Sequence, residues 1–245
     1  MADLAIVNRE SEWARSATIT ATSSASGYPA ANAGTDNLGA PWWATSGTAT
    51  LTVTVSGAKT VTYVALIGTN TDDGRAITVG GVSGVSLTGS RSADGSSVDL
   101  AATFAAQAGV TAVTFAISGN TVNWSVARVI VANADTIPNF LDGFTMEPFR
   151  PQYTDENDFG HTERYDLGVT RWRGKGSLIL TAAQMVTLQS WWASTKAGFY
   201  PTTIYPGSPY PPQFARFAMG LPRTHHKKHL KVDLEWATEP YVEVA

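Results

Sequence analysis

The chain has 245 residues, a formal charge of −3 and no cysteine. These values exclude a disulfide framework and thiolate metal sites, and they argue against a dedicated nucleic-acid binder, which carries a basic excess. Charged residues make up only 15% of the chain, whereas Ala, Thr, Ser, Gly and Val are abundant, which favours an all-β protein with many turns. No apolar run approaches the roughly 20 residues that a membrane-spanning helix needs. The opening MADLAIVNRESEW lacks the basic and apolar regions of a signal peptide, so synthesis in the cytoplasm without membrane insertion is expected.

In chain order, an apolar stretch within Ala2–Trp13 reads as an opening strand. From Ala17 the text is rich in Thr, Ser and Ala, but β-branched residues alternate through ATITATS, so it is no disordered linker. Tyr28-Pro29-Ala30 precedes a loop, Asn32–Ala40, dense in Asn, Gly and Asp, and Trp42-Trp43 follows. Ala49–Val55 alternates as a half-buried strand does, and the more continuously apolar Val61–Ile67 predicts an inner strand. Asn70–Gly74 is a turn and Arg75–Val79 a strand. Gly80–Ser97 is a Gly/Ser-rich surface loop with a weak strand in it. Ala112–Ile117 and Asn123–Val131 are expected to close the series as a hairpin across Ser118–Asn120. Short strands with regular turns predict a β-sandwich or jelly roll.

The order Tyr-Pro-Ala, polar loop, Trp, alternating strand, VALIGTN and WSVARVIVAN resembles discoidin-type, galactose-binding-like jelly rolls. It is similar in particular to versions found in bacteriophage tail proteins. The resemblance spans about Ala17–Asn133 and speaks for the fold more than for any ligand.

Pro138 marks a boundary, because all four His and most Arg and Lys lie beyond it. The expected division is 1–137 and 138–245. Phe140–Tyr165 reads as a strand, a long acidic loop and a second strand near His161–Tyr165. Ser177–Leu180 is a short apolar strand. Thr181 and Gln184 fit a capping box that starts a helix over about 182–197. Met185, Leu188 and Trp191/Trp192 form its apolar stripe, Lys196 suits its C-terminal dipole, and Gly198 can terminate it. Phe199–Tyr205 returns as a strand. Pro206–Pro212 (PGSPYPP) is an exposed loop, and Phe214–Leu221 and Leu230–Trp236 finish as strands.

LILTAAQ, SWWASTKAGFY, YPGSPYPP and KVDLEWATEP together resemble the tail-tube-like β-barrel domains of phage distal tail and minor tail proteins, over about Phe140–Val242. That resemblance implies a C-terminal barrel that assembles into a ring, a hexamer in the family. The ring would continue the tail tube around the channel through which DNA passes.

Candidate site residues each carry two readings. Trp42 and Trp43 read either as a sugar-stacking platform or as packing beneath and at the edge of the sandwich. At most one of them can face a ligand, since neighbours on a strand point opposite ways. Asp36 and Asn37 offer oxygen ligands to a glycan or to Ca²⁺, but one carboxylate and one amide are few for a cation. His225, His226 and His229 form HHKKH without the Glu of a zinc hydrolase, and Lys227 and Lys228 repel a cation, so no metal site is expected. Arg171, Arg173, Lys175, Lys227 and Lys228 read as interface cations or as solvated surface. Asp155, Glu156 and Asp158 are their candidate partners across a subunit contact, and Tyr210 in the proline loop is a further contact candidate. A basic lumen would bind the phosphates of passing DNA, so these cations are expected at interfaces. Asn123-Trp124-Ser125 matches a glycosylation acceptor but lies in an expected strand.

No nucleophile elbow, phosphate loop or convincing carboxylate pair is present, so neither an enzyme nor a cofactor is expected. The leading expectation is a structural virion protein of a phage tail tip. Its ring would join the tail tube protein to the baseplate hub and other tail-tip proteins, with peripheral sandwiches. The alternative is a carbohydrate-binding protein of the tail tip that recognises host surface glycans.

Overall fold

The computed structural model describes residues 4–7, 11–89, 98–137, 145–149, 152–156, 162–166, 171–196, 202–205, 213–217, 223–226 and 229–238. The first half runs β1 (Leu4–Val7), β2 (Thr18–Ala21), β3 (Trp42–Trp43), β4 (Ala49–Thr69), β5 (Ala76–Gly80), β6 (Ser86–Thr88), β7 (Val98–Ile117), β8 (Ser125–Val126), β9 (Arg128–Ala132) and β10 (Asp135–Ile137). The second half runs β11 (Thr145–Phe149), β12 (Gln152–Glu156), β13 (Thr162–Asp166), β14 (Arg171–Leu180), α1 (Ala182–Lys196), β15 (Thr202–Tyr205), β16 (Gln213–Phe217), β17 (Arg223–His226) and β18 (His229–Thr238). Among the described residues the protein is all-β with one α-helix, the class that the composition predicts.

A bent ribbon makes the sandwich. β4 and β7 pair antiparallel from Ala49↔Ile117 to Thr69↔Val98. The register slips between Thr54 and Tyr63, where Gly57 and Gly109 take φ values of 73° and 77°. Only glycine adopts that left-handed conformation cheaply, so the kink falls on these two residues. Beyond it the ribbon folds back, and Asn120 joins its two ends. The Asn120 amide donates to the Gly47 carbonyl (3.0 Å), and its Oδ1 accepts from the Asp72 amide (2.8 Å). A Cβ on Gly47 would overlap the Asn120 carbonyl, so the approach requires glycine.

The front half of the ribbon carries β2 on one side and β5 then β6 on the other, while the rear half pairs with β9. Leu51, Val53 and Val55 from the front half share one buried cluster with Val64, Leu66, Val129 and Val131 from the rear. The alternation expected for Ala49–Val55 is present. Val61–Ile67 is buried almost throughout because its second face is also covered. There Tyr63, Ala65 and Ile67 pack with Ile130, Ala132, Leu38 and Val7.

Three expectations change. No hairpin forms across Ser118–Asn120: β7 pairs with β4 and β5, whereas β9 pairs with β4, since the chain crosses between the two layers there. The acidic stretch is not one loop. Asp155 and Glu156 lie on β12, paired with β13 in register Tyr153↔Tyr165 and Thr154↔Arg164, where aromatic and β-branched residues outweigh the charges. The opening strand β1 does not join the sandwich sheets. It lies between β10 and β15 in an eight-stranded sheet whose other six strands come from the second half of the chain. Strand pairing therefore crosses the division at residue 137.

That larger sheet has the order β10-β1-β15-β16-β18-β14-β11, with β17 on β18, and is an open path among the described residues. β14 alternates: Gly174, Gly176, Leu178 and Leu180 are buried, while Arg173, Lys175 and Ile179 are exposed. The capping box forms as expected. The Gln184 amide donates to Thr181 Oγ1 (3.3 Å), and Gln184 Oε1 accepts from the Thr181 amide (2.9 Å). Met185 and Leu188 turn into the core. The side chains of Trp191 and Trp192, Gly198 and the proline loop 206–212 lie outside the described residues.

Candidate ligand-binding surfaces

β3 pairs with β8, setting Trp42 opposite Val126 and Trp43 opposite Ser125. Strand alternation then sends the two indoles to opposite faces. Trp42 is fully buried and meets Trp124 edge to face, with ring centroids 5.2 Å apart. Its Nε1 donates to the Ser23 carbonyl and to Ser24 Oγ, both at 3.1 Å. Trp124 Nε1 donates to Thr69 Oγ1 at 2.9 Å. Both indole N–H groups thus find acceptors inside the fold, as burial requires. Trp42 is core.

Trp43 is the opposite case, 38% exposed. The Tyr28 ring packs against it at 5.5 Å and 33°. A tight turn holds Tyr28 there: its amide donates to the Ala25 carbonyl (3.0 Å), and Gly27 supplies the positive φ of 83° that a type II turn needs. The turn is clasped to β3, with the Ala25 amide donating to the Trp43 carbonyl at 2.8 Å. The result is an open indole on a rigid mount, a surface that suits the C–H face of a sugar ring.

Asp36 and Asn37 have other tasks. Asp36 Oδ2 pairs with Arg15 Nη1 and its Oδ1 with Arg128 Nη1 (2.6 Å). Asn37 Oδ1 accepts from the Gly39 amide at 3.2 Å, an Asx turn. Two arginines beside Asp36 oppose a Ca²⁺ ion. Among the described residues no group of three or more His, Asp or Glu is placed to hold a metal. His225 and His226 lie on β17 and His229 on β18, with His226 opposite His229, so His225 and His229 stand on two strands.

The ion cluster around Asp36 is the part the residue patterns did not single out. Arg128 is fully buried, and Glu12, nearly so, contacts both Arg128 Nη2 and Arg15 Nε (2.8 Å). Each arginine thus touches both carboxylates, and the four charges balance. Burial alone would lower the Arg15 pKa, but Glu12 and Asp36 together outweigh it and hold the guanidinium above its ordinary value. One signal was available: Arg128 is the lone charge in the apolar run VARVIVA, and a charge there needs partners.

Above this cluster opens a groove of about 500 Å³ lined by Glu12, Trp13, Arg15, Thr35, Asp36 and Lys59, among others. Trp13 is fixed by its Nε1 bond to the Thr60 carbonyl (3.0 Å), and Lys59 Nζ lies 4.9 Å over the Trp13 ring. Lys59 stands beside the Gly57 bend, whereas Trp43 lies toward the Asn120 end of the ribbon.

Of the expected interface residues, Arg173 and Lys175 are exposed on β14. Exposed Glu147 stands opposite Arg173, and Glu235 stands opposite Lys175 in register. Cations and carboxylate positions thus meet within one chain. Arg171 lies on β14 and Asp155 and Glu156 on β12; their side chains, like Asp158, Tyr210, Lys227 and Lys228, lie outside the described residues. No helix among the described residues is long and apolar enough to cross a membrane.

No protein-family model and no curated protein sequence matches the chain. Solved structures do. A chitosan-binding module from a Paenibacillus sp. IK-5 chitosanase/glucanase is 22% identical, with a TM-score of 0.40 over 50% of this chain and 98% of that one. A family 32 carbohydrate-binding module of Clostridium perfringens NanJ, solved with galactose, is 16% identical, with a TM-score of 0.41 over 50% of this chain and 98% of that one. The lectin domain of lectinolysin, solved with Lewis B antigen, is 18% identical, with a TM-score of 0.41 over 51% and 97%.

Proposed function

We propose that this protein is a carbohydrate-binding protein without a catalytic step, and that Trp43, backed by Tyr28, is its sugar-stacking surface. One observation carries the reading: of two adjacent tryptophans one is locked in the core, and the other is 38% exposed on a hydrogen-bonded mount. An exposed indole held in a fixed orientation can stack on the C–H face of a pyranose. A glycan array probed with the full chain tests this. Binding lost in Trp43→Ala, with an unchanged melting temperature, supports it; an array with no hits, or hits insensitive to Trp43, defeats it.

A second reading is the tail-tip adaptor implied by the phage resemblance. What supports it is the strand, capped helix, strand order of β14, α1 and β15, with the Thr181–Gln184 box where the resemblance expects it. In that reading the protein belongs to the virion and forms a ring on the tail tube protein below the hub. DNA passes the lumen without specific contacts, and the sandwich displays its Trp43 face to host glycans. Light scattering with negative-stain imaging tests the ring: an annular oligomer supports it, and a monomer even in the presence of tail tubes defeats it.

A further inference from the structure

We infer that the groove between Trp13, Arg15 and Lys59 is a second ligand site, separate from Trp43, for the carboxylate of an acidic sugar (a hexuronate). Glu12 and Asp36 are both engaged by Arg15 and Arg128, so these four charges cancel. Lys59 is then the surplus charge: its ammonium has no carboxylate partner among the described residues and rests on the Trp13 ring. Arg15 Nη2, buried in the groove wall, has no acceptor among the described residues. A single surplus positive charge and one unpartnered guanidinium nitrogen suit a monoanion, which a carboxylate supplies. The half-buried indole of Trp13 offers an apolar wall for the sugar ring beside that carboxylate. The groove's volume of about 500 Å³ falls in the range of small-ligand sites.

The choice of a sugar as the carrier of the carboxylate rests on the glycan-binding reading; the anion site itself does not. The test titrates the full chain with oligogalacturonate, the matched neutral galacto-oligosaccharide and oligoglutamate, using calorimetry. It compares the native protein with Lys59→Met and with Trp43→Ala. The expected result is oligogalacturonate binding that persists in Trp43→Ala and weakens about tenfold in Lys59→Met, the loss of one charged hydrogen bond. Raised salt should weaken it further. Unchanged uronate affinity in Lys59→Met overturns the site, as does absence of uronate binding. Equal affinity for oligoglutamate overturns the sugar assignment. Loss of neutral-sugar binding alone in Trp43→Ala speaks only to the other surface, so the two readings fail separately. Lys59→Met keeps the apolar stem on Trp13, and its melting temperature should match the native protein.

Discussion

Trp42 and Trp124 meet at 81° with centroids 5.2 Å apart, each fully buried and each with its indole N–H bonded to side-chain or backbone oxygens of a neighbouring segment. This edge-to-face pair fastens β3 and β8 to the body of the sandwich. Trp42→Ala should therefore lower stability by about 3–5 kcal/mol, whereas Trp43→Ala should leave it nearly unchanged. Urea unfolding of the two variants side by side checks the contrast.

Arg128 answers two carboxylates from inside the core. Arg128→Ala leaves Glu12 and Asp36 with only Arg15, and removing one partner of such a buried set costs about 3–5 kcal/mol. Urea denaturation measures the loss. Stability close to native in Arg128→Ala would show that the cluster contributes little to folding.

The carboxyl of Asp135 on β10 is half-buried, and burial raises its pKa above the ordinary aspartate range. A folded-state pKa above the unfolded one means that the folded state prefers the proton. The group's favourable contribution is complete below the unfolded pKa and is lost as pH rises through the folded value. Asp135→Asn should then raise the melting temperature at pH 7, and the gain should vanish near pH 3, where both states are protonated. Thermal melts at the two pH values give the answer.

The capping box makes a smaller claim. Thr181→Ala removes the Oγ1 acceptor for the Gln184 amide and should cost about 1 kcal/mol. Thr181→Ser should restore it, as read from denaturant midpoints.

Local rules were legible in the residues. Alternation marked Ala49–Val55, the Thr181–Gln184 spacing marked the helix start, and strand geometry allowed only one of Trp42 and Trp43 to face outward. Long-range pairing was not. Nothing near Ala49 announces Ile117 as its partner, and the kink at Gly57 and Gly109 reads locally as two turns rather than one folded ribbon. The partnership of Glu12, Asp36 and Arg128 is likewise invisible along the chain, because residues so far apart are joined only by the packing of the sandwich. β1 is the extreme case: its apolar residues predict a strand, while its partner Thr202–Tyr205 is supplied from the far end of the chain.

The chain enters the larger sheet at β1, leaves it to build the sandwich, and comes back at β10 beside the strand it left. The exit and the return meet where the Asn133 amide donates to the Ser11 carbonyl at 3.0 Å. The sandwich is therefore a cassette held by both of its ends. The two connections to the sandwich thus lie side by side, the arrangement in which inserted domains are tolerated, because the host sheet keeps its strand order whatever lies between them.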